Sequence, residues 1–287
     1  MLNKNLNILV VGLGLLGGSY AKALSDKGYR VGGIARRESD IAYACENGFI
    51  SYGAPTPDPA LLAAADLVVL ALYPATLVKW VEENGRHFSP GTVVTDVTGV
   101  KGPIVSRVQS MLPDGVEFIA AHPMAGREVS GLRNADPAIF AGANYVVTPT
   151  AQNTPAAISL CEELGRTLGF ARISRLSPEE HDEVIAFVSQ LTHCIAVSLM
   201  TCQKTPHLED YTGDSFRDLT RIARLNDEMW SELFLTNRDA LLSQIDLFTA
   251  ELGRLRENLE NGDRDALREQ MRASTARRAL FDKKKEN

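Results

Sequence analysis

Several whole classes of protein are excluded by what the sequence has little of. Its four cysteines, Cys45, Cys161, Cys194 and Cys202, include no C-x-x-C pair. That spacing offers neither a zinc site nor a disulfide frame, so reduced thiols and no metal are expected. Positive charge is not in excess. The formal net charge is −6, which removes the general electrostatic case for nucleic acid and means that an anionic substrate must be met by local cations. The polar start, Met1–Asn7, holds no apolar stretch of signal-sequence length, and no unbroken apolar run approaches the roughly 18 residues of a membrane span. No internal repeat or low-complexity segment stands out. The expectation is a cytoplasmic protein without a membrane partner, with Lys283-Lys284-Lys285 as a solvated tail rather than a binding patch.

What is present is a chain of 287 residues, 45% hydrophobic, enough for one large domain or two of ordinary size. The apolar run Leu6–Val11 reads as a strand and leads directly into GLGLLGGS. Gly12, Gly14 and Gly17 form G-x-G-x-x-G, with Leu13, Leu15 and Leu16 between them. Placed between an N-terminal strand and a helix, this pattern is a dinucleotide loop: a tight turn, a close approach for a pyrophosphate, and a helix N-terminus as the positive pole. The next strand, Tyr29–Ile34, ends in Ala35-Arg36-Arg37. An NAD site normally has Asp or Glu there, to accept from the ribose 2′-hydroxyl. Arg36 and Arg37 instead suit a 2′-phosphate, which favours NADP. The alternative is NAD, with Glu38 or Asp40 taking the acidic role one turn later.

Strands and helices then alternate. Strands are expected at Asp66–Tyr73, Gly91–Val97, Val116–Ala121, Asn144–Thr148 and Ala171–Ile173. Helices are expected at Ala42–Gly48, Pro74–Glu83, Ile104–Met111 and Thr154–Gly169, with a loop at Pro55–Pro59. The repetition predicts a mostly parallel, Rossmann-like α/β sheet with helices on both faces, and a ligand crevice beyond the strand carboxyl ends. Tyr73 falls at that crevice. After Ser177, in S-P-E-E, a helix start, no convincing strand remains. Helices are expected through His181–Met200, with Val184, Val188, Leu191, Ile195 and Leu199 on one stripe, and at Phe216–Leu225, Met229–Leu259 and Asp263–Phe281. The domains are read as residues 1–175, dinucleotide-binding, and 176–287, an all-helical substrate and dimerisation domain. A helical half of this length packs most often on a partner copy, so a homodimer is expected.

The chemistry is expected at Ala121–Gly131, AHPMAGREVSG, where an imidazole at the carboxyl end of a buried strand is placed to move a proton. Three further pieces align with it: the glycine loop, S-Q-L-T-H at Ser189–His193, and F-R-D-L-T-R-I at Phe216–Ile222 followed by Trp230. From Ile8 to about Asn237 the chain resembles the prephenate dehydrogenase family, the prephenate and arogenate dehydrogenases of tyrosine biosynthesis. The resemblance implies oxidation of prephenate by a nicotinamide cofactor, with loss of the ring carboxylate as CO2, to 4-hydroxyphenylpyruvate. It implies that His122 accepts the hydroxyl proton and that Arg221 holds a substrate carboxylate. Arg127, Lys101, His193 and Arg217 are candidates for the second carboxylate. His193 matches a substrate-contacting position, and Ser189 shares its helix face. Glu128 could gate the site or pair across it, Asp218 could fix the Arg221 fork, His181 could orient its neighbours, and Trp230 could wall the pocket.

The chain departs from the family pattern at several places. Gly99, in DVTGVK, stands where a serine that contacts the catalytic histidine or substrate is usual, and Thr98 is the candidate substitute. Gln190 and Thr192 replace a frequent histidine and proline, and Asp214-Ser215 a common glycine pair. Glu128 and His193 favour prephenate over arogenate, whose side chain carries an ammonium in place of the keto group. Neither a fused chorismate mutase nor a C-terminal regulatory domain is expected. The reading of a different class is a non-catalytic nicotinamide-binding sensor, which has no need of His122 and Arg221 together.

Overall fold

The computed structural model describes residues 2–281, and Lys283-Lys284-Lys285 lies outside them. The chain runs β1 (Asn7–Val11), α1 (Leu15–Ser25), β2 (Arg30–Ile34), α2 (Glu38–Glu46), β3 (Tyr52–Ala54), α3 (Pro59–Ala63), β4 (Leu67–Leu70), α4 (Pro74–Asn84), β5 (Val93–Asp96), α5 (Gly102–Met111), β6 (Glu117–Pro123), β7 (Asn144–Thr148), α6 (Pro155–Leu168) and β8 (Arg172–Arg175). Helices follow: α7 (Pro178–Ile185), α8 (Thr192–Thr201), α9 (Asp214–Thr220), α10 (Asp227–Thr236), α11 (Arg238–Glu260) and α12 (Arg264–Arg278). The strands form one sheet in the order β3-β2-β1-β4-β5-β6-β7-β8. It is parallel except between β6 and β7, which are antiparallel.

Alternate residues of the strands supply two cores. Ile8, Val10, Val31, Leu67, Val69 and Ile119 face α1 and α6 with Tyr20, Leu24, Cys161 and Leu164. Leu9, Val11, Val68, Leu70, Val94 and Phe118 face Leu62, Leu77, Val81, Ile104 and Val108 on the other side. A strand buried on both faces needs no polar alternation, which is why these segments read as unbroken apolar runs. Strand order reverses between β1 and β4, and the glycine loop sits at that switch point, where α/β sheets bind their ligands.

Seven of the eight strands fall where expected. The short β3 was missed because Tyr52-Gly53-Ala54 carries no apolar run. Helix α3 was missed: it starts at the last residue of the expected loop Pro55–Pro59 and runs on through a stretch given no assignment; Pro59 opens it and the Asp58 carboxylate caps it, accepting from the Ala60 amide at 2.8 Å. The single helix expected at Met229–Leu259 is broken at Asn237, whose side chain is spent on tertiary hydrogen bonds. Pro178–Thr201 is one continuous helical run with a π turn at Ala186–Leu191. Its mean hydropathy of 1.7 over a membrane-span length went unseen in a count of unbroken apolar residues, because His181, Asp182, Gln190 and His193 interrupt it. The run packs against α5 and β7 and buries Asp182, Ile185, Gln190 and Leu191. Val184, Phe187, Val188 and Met200 are left exposed, so the expected apolar stripe is only partly the inward face.

The chain divides into two compact units, Met1–Arg238 and Asp239–Asn287. The helices from α7 to α10 therefore pack with the sheet unit. In the second unit α11 and α12 make a helical hairpin through Gly262 (φ 64°), tied by Gln270 Nε2 donating to Glu251 Oε1 at 2.6 Å.

The glycine loop depends on the absence of two side chains. Gly12 has φ 93°, a left-handed conformation, and a Cβ there would lie 2.4 Å from the Ala71 carbonyl oxygen. A Cβ on Gly17 would lie 1.9 Å from the Gly12 carbonyl oxygen. Both obstacles are backbone, so no rotamer relieves them. Gly17→Ala should therefore cost about 1–3 kcal/mol of stability and weaken cofactor binding at least tenfold, as read by thermal denaturation and cofactor titration. Unchanged binding would refute the close packing of turn on helix.

Candidate active site

The cradle at the start of α1 fits a dinucleotide. Gly14 caps the helix with no side-chain hydrogen bond, so the first amides of α1, at Leu15 and Leu16, lack an intrahelical partner. A Cβ on Gly14 would meet nothing within 4 Å, and that open space over free amides is what a pyrophosphate needs. Leu13 is buried in the core beneath the loop. Tyr73 caps α4 and is exposed at the carboxyl end of the β4 segment. At the end of β2, Arg37 Nε donates to Asp40 Oδ2 at 2.8 Å, whereas Arg36 is exposed and has no ion pair among the described residues. Asp40, one of the two alternative ribose acceptors beside Glu38, is engaged by that arginine.

His122 lies one residue from the end of β6 and is partly accessible. Its Nδ1 is 2.9 Å from His181 Nε2, and His181 Nδ1 is 2.7 Å from Asp182 Oδ1. The carboxylate can only accept, so His181 carries its proton on Nδ1 and presents a lone pair at Nε2. His122 then donates from Nδ1, which leaves its Nε2 bare. The relay sets the tautomer in which His122 is a proton acceptor. Lost hydration lowers the pKa of His122 well below 6.5, and His181 and the Lys101 ammonium lower it further. Burial also lowers His181, with Asp182 opposing. Both rings are therefore neutral near neutral pH.

Asp182 is itself held by two backbone donors. The amides of Lys101 and Gly102, at the start of α5, reach Oδ1 and Oδ2 at 2.8 and 2.7 Å. Asn237 Nδ2 donates to the Asp182 carbonyl at 2.9 Å and to Gln190 Oε1 at 2.8 Å, and Gln190 Nε2 donates to the Leu233 carbonyl at 3.1 Å. The π turn lets Gln190 point inward, where it ties α10 to the long helix. Asp182, Gln190 and Asn237 were missed as site residues. The available signal was a set of polar residues on otherwise apolar helix faces.

Arg221 Nη1 donates to Glu128 Oε1 at 2.6 Å. The sequence pieces around residues 128 and 221 are thus joined by an ion pair, and Glu128 rather than Asp218 holds the Arg221 fork. His193 stacks on Trp230 with ring centroids 3.7 Å apart. Its Nδ1 donates to the Ser189 carbonyl at 2.8 Å, so Ser189 contributes its backbone there and neutral His193 offers an accepting Nε2. The charges of both Glu128 and Arg221 act on this ring, while burial lowers its pKa.

Two expectations need correction. Thr98 does not stand in for a serine at position 99: its Oγ1 lies within bonding reach of Asp96 Oδ2 and of the Val100 carbonyl (2.9 Å), and accepts from Lys101 Nζ at 3.3 Å. His181, not Thr98, is the hydrogen-bond partner of His122. Lys101 is fully buried and paired with Asp96, so it cannot meet a substrate carboxylate. Arg127 is paired with Asp136 and Arg217 with Asp214 through exposed ion pairs, of the same kind as Arg221 with Glu128, so both stay candidates beside His193. A Cβ on Gly99 would lie 3.8 Å from His122 Cε1 and 3.5 Å from a Leu233 methyl, so a serine there is sterically permitted.

Comparison with known proteins places this geometry. The model described as the prephenate dehydrogenase nucleotide-binding domain matches residues 20–173, and that of the prephenate dehydrogenase dimerization domain matches residues 177–273. The chain belongs to the prephenate dehydrogenase family. It is 31% identical over 269 residues to prephenate dehydrogenase of Bacillus subtilis, spanning 91% of this chain and 72% of that one. It is 30% identical to cyclohexadienyl dehydrogenase of Zymomonas mobilis, spanning 96% of both. Prephenate dehydrogenase from Aquifex aeolicus, solved with hydroxyphenyl propionate and NAD+, superimposes with a TM-score of 0.89 at 29% identity, covering 98% of this chain and 100% of that one.

Because His122 and His181 have lowered pKa values when folded, the folded state disfavours their protonation. Their linkage adds stability above the ordinary histidine pKa of 6.5, and this is lost as pH falls below it, by up to about 1.4 kcal/mol per pH unit for each histidine. Urea titrations at pH 7.5, 6.5 and 5.5 should show unfolding free energy falling across the last interval, and falling less in His122→Asn. An equal slope in the two proteins would refute the desolvated ring.

Proposed function

We propose that this family member is an NADP-preferring prephenate dehydrogenase with His122 as the proton acceptor, working as a homodimer. The observation that carries the reading is the Asp182–His181–His122 relay, which leaves His122 Nε2 neutral and unoccupied at the sheet's carboxyl edge. When bound, the nicotinamide supplies the hydride acceptor. The loop from Gly12 to Gly17 would hold its pyrophosphate. His122 takes the ring hydroxyl proton as hydride leaves the carbinol carbon, and the imidazolium that forms is stabilised through His181 by the Asp182 charge. The ring carboxylate departs as CO2, its electron pair passes through the ring to the new carbonyl oxygen, and the phenolate that forms takes the proton back from His122. Arg221 binds a substrate carboxylate by exchanging Glu128 for it, a replacement of one charge-assisted pair by another.

Support for prephenate comes from the similarity to proteins named prephenate dehydrogenase, whereas the His193 region bears on the choice between prephenate and arogenate. A second carboxylate or a side-chain keto group needs a donor, and His193 supplies one once its Nε2 takes a proton. Neutral His193 would accept from the ammonium of arogenate, so the protonation state of this ring bears on substrate choice. Support for NADP comes from Arg36, which has no ion pair among the described residues and follows Ala35, the position where NAD sites carry an acid. Support for the homodimer comes from the match of residues 177–273 to a dimerization domain and from the exposed Val184, Phe187, Val188 and Met200.

His122→Asn should lower kcat by at least about 100-fold, within the range that general-base removal reaches, with cofactor affinity unchanged. Near-parental turnover would end the proton-acceptor assignment. In the parent, kcat/KM should stay level as pH drops past 6.5 and fall only at more acid pH, since His122 must be neutral. An assay crossing prephenate and arogenate with NAD and NADP decides both preferences. Arg36→Ala should raise the KM for NADP about tenfold and leave that for NAD unchanged; equal effects on the two would remove the 2′-phosphate contact.

A further inference from the structure

One buried ion pair is used in none of the steps above. Asp96 ends β5, Lys101 precedes α5, and both side chains are fully buried. Their bonds converge on a single residue of β6. Asp96 Oδ1 accepts from the Ala121 amide at 2.9 Å, and Lys101 Nζ donates to the Ala121 carbonyl at 2.7 Å. Lys101 Nζ also donates to Asp96 Oδ2 at 2.7 Å. Ala121 immediately precedes His122.

The sheet explains why Ala121 needs such partners. Parallel pairing of β5 with β6 ends at Thr95 opposite Ile119. The Glu117 amide donates to the Thr92 carbonyl on the β5 side. With a pleat period of two, the amide and carbonyl of Ile119 and then Ala121 face the same side. Had β5 continued, its backbone would have received both groups of Ala121. The chain instead turns away, and the Thr98 amide is spent on Asp96 Oδ2 at 3.0 Å. The strand under His122 is held on its other side by β7, where Ala121 and His122 pair with Val147 and Val146. Without the ion pair its two polar groups on the open side would be buried and unsatisfied.

Lys101 makes a second link to the same histidine. Its backbone amide is one of the two donors to Asp182, and Asp182 holds His181 against the His122 ring. One residue therefore fixes the backbone of His122 through its side chain and the imidazole of His122 through its amide.

We infer that Asp96 and Lys101 are positioning residues for the proton transfer: their side chains replace the missing segment of β5 and aim His122. This rests on His122 being the proton acceptor. Lys101 also faces His122 electrostatically, as does His181, with Asp182 acting through His181; the lysine charge favours the neutral ring.

The test is a pair of variants, Lys101→Met and the neutral double variant D96N/K101M, assayed as full-length protein with cofactor and substrate. Lys101→Met leaves Asp96 buried without its partner and is expected to fold poorly. The double variant leaves no unpaired charge and is expected to fold with reduced stability, since neutral replacement of a buried pair is often tolerated; the carboxamide oxygen introduced by D96N still accepts from the Ala121 amide, while the Ala121 carbonyl loses its donor. In the double variant kcat should fall roughly 10- to 100-fold, the scale of a misplaced catalytic group. KM and cofactor affinity should change less than about threefold. The acid limb of kcat/KM should move to higher pH, because the cation that held His122 neutral is gone, a change that a merely structural role would not produce. Parental kcat with an unmoved acid limb in a folded double variant overturns the inference. So does a double variant that cannot fold, or one whose loss lies in cofactor affinity. His122→Asn, run alongside, separates the two readings: an active His122→Asn overturns the proton acceptor itself, whereas an inactive one beside a fully active D96N/K101M overturns only the clamp.

Discussion

The site depends on how the sheet stops. β5 ends at Asp96 while β6 runs on to His122, and a strand that outruns its neighbour exposes an amide and a carbonyl with no ladder partner. Here those groups are met by a carboxylate and an ammonium that also meet each other. A buried ion pair is seldom a source of net stability, because desolvation offsets the attraction. It is better understood as a geometric element, since it accepts and donates at fixed positions where a continued strand would have done so. The turn that removes β5 from beside Ala121 also brings the amides of Lys101 and Gly102 to Asp182, so strand end and histidine relay are held by one loop.

The relay in turn connects the sheet to the helices. Asp182 and His181 sit at the start of a long helical run whose π turn rotates Gln190 inward. Gln190 and Asn237 then secure α10, which carries Leu233 toward Gly99 and Trp230 onto His193. Polar residues thus occupy the inward face of helices that are otherwise apolar, and each has a partner. That satisfaction makes the arrangement tolerable at depth, because an unmet polar group there would cost more than its hydrogen bond returns. The Glu128–Arg221 pair is of another kind. It is exposed, so solvent weakens it and an incoming anion can compete for the arginine at little cost.

Much of the fold was legible because its signals are local. Gly12, Gly14 and Gly17 between an apolar strand and a helix announce a dinucleotide turn, and doubly buried strands read as unbroken runs of Val, Leu and Ile. The elements missed are short: β3 carries no apolar run, and α3, the five residues PALLA, is too short to show a helical period. The break at Asn237 was missed because its cause is a tertiary contact to Asp182 and Gln190, which no helical periodicity records.

Within the site, the identities of His122, Arg221, Glu128 and His193 were set by motifs, and residue type alone told what each could do. Which group meets which was decided only by tertiary structure. Lys101 is a cation in sequence and therefore a candidate for substrate; once folded it is sealed against Asp96 and Ala121. Thr98 adjoins Gly99 in the chain, yet its hydroxyl turns into that same network. His181 lies 59 residues from His122 and becomes its partner because α7 packs on α5 and on β7, the strand paired with the end of β6. Sequence determines the chemical capacity of each side chain and the local backbone it favours. Hydrogen-bond direction, the tautomer of His122 and the choice of which charge stays free are properties of distances between segments, and these exist only after the strands have paired and the helices have docked.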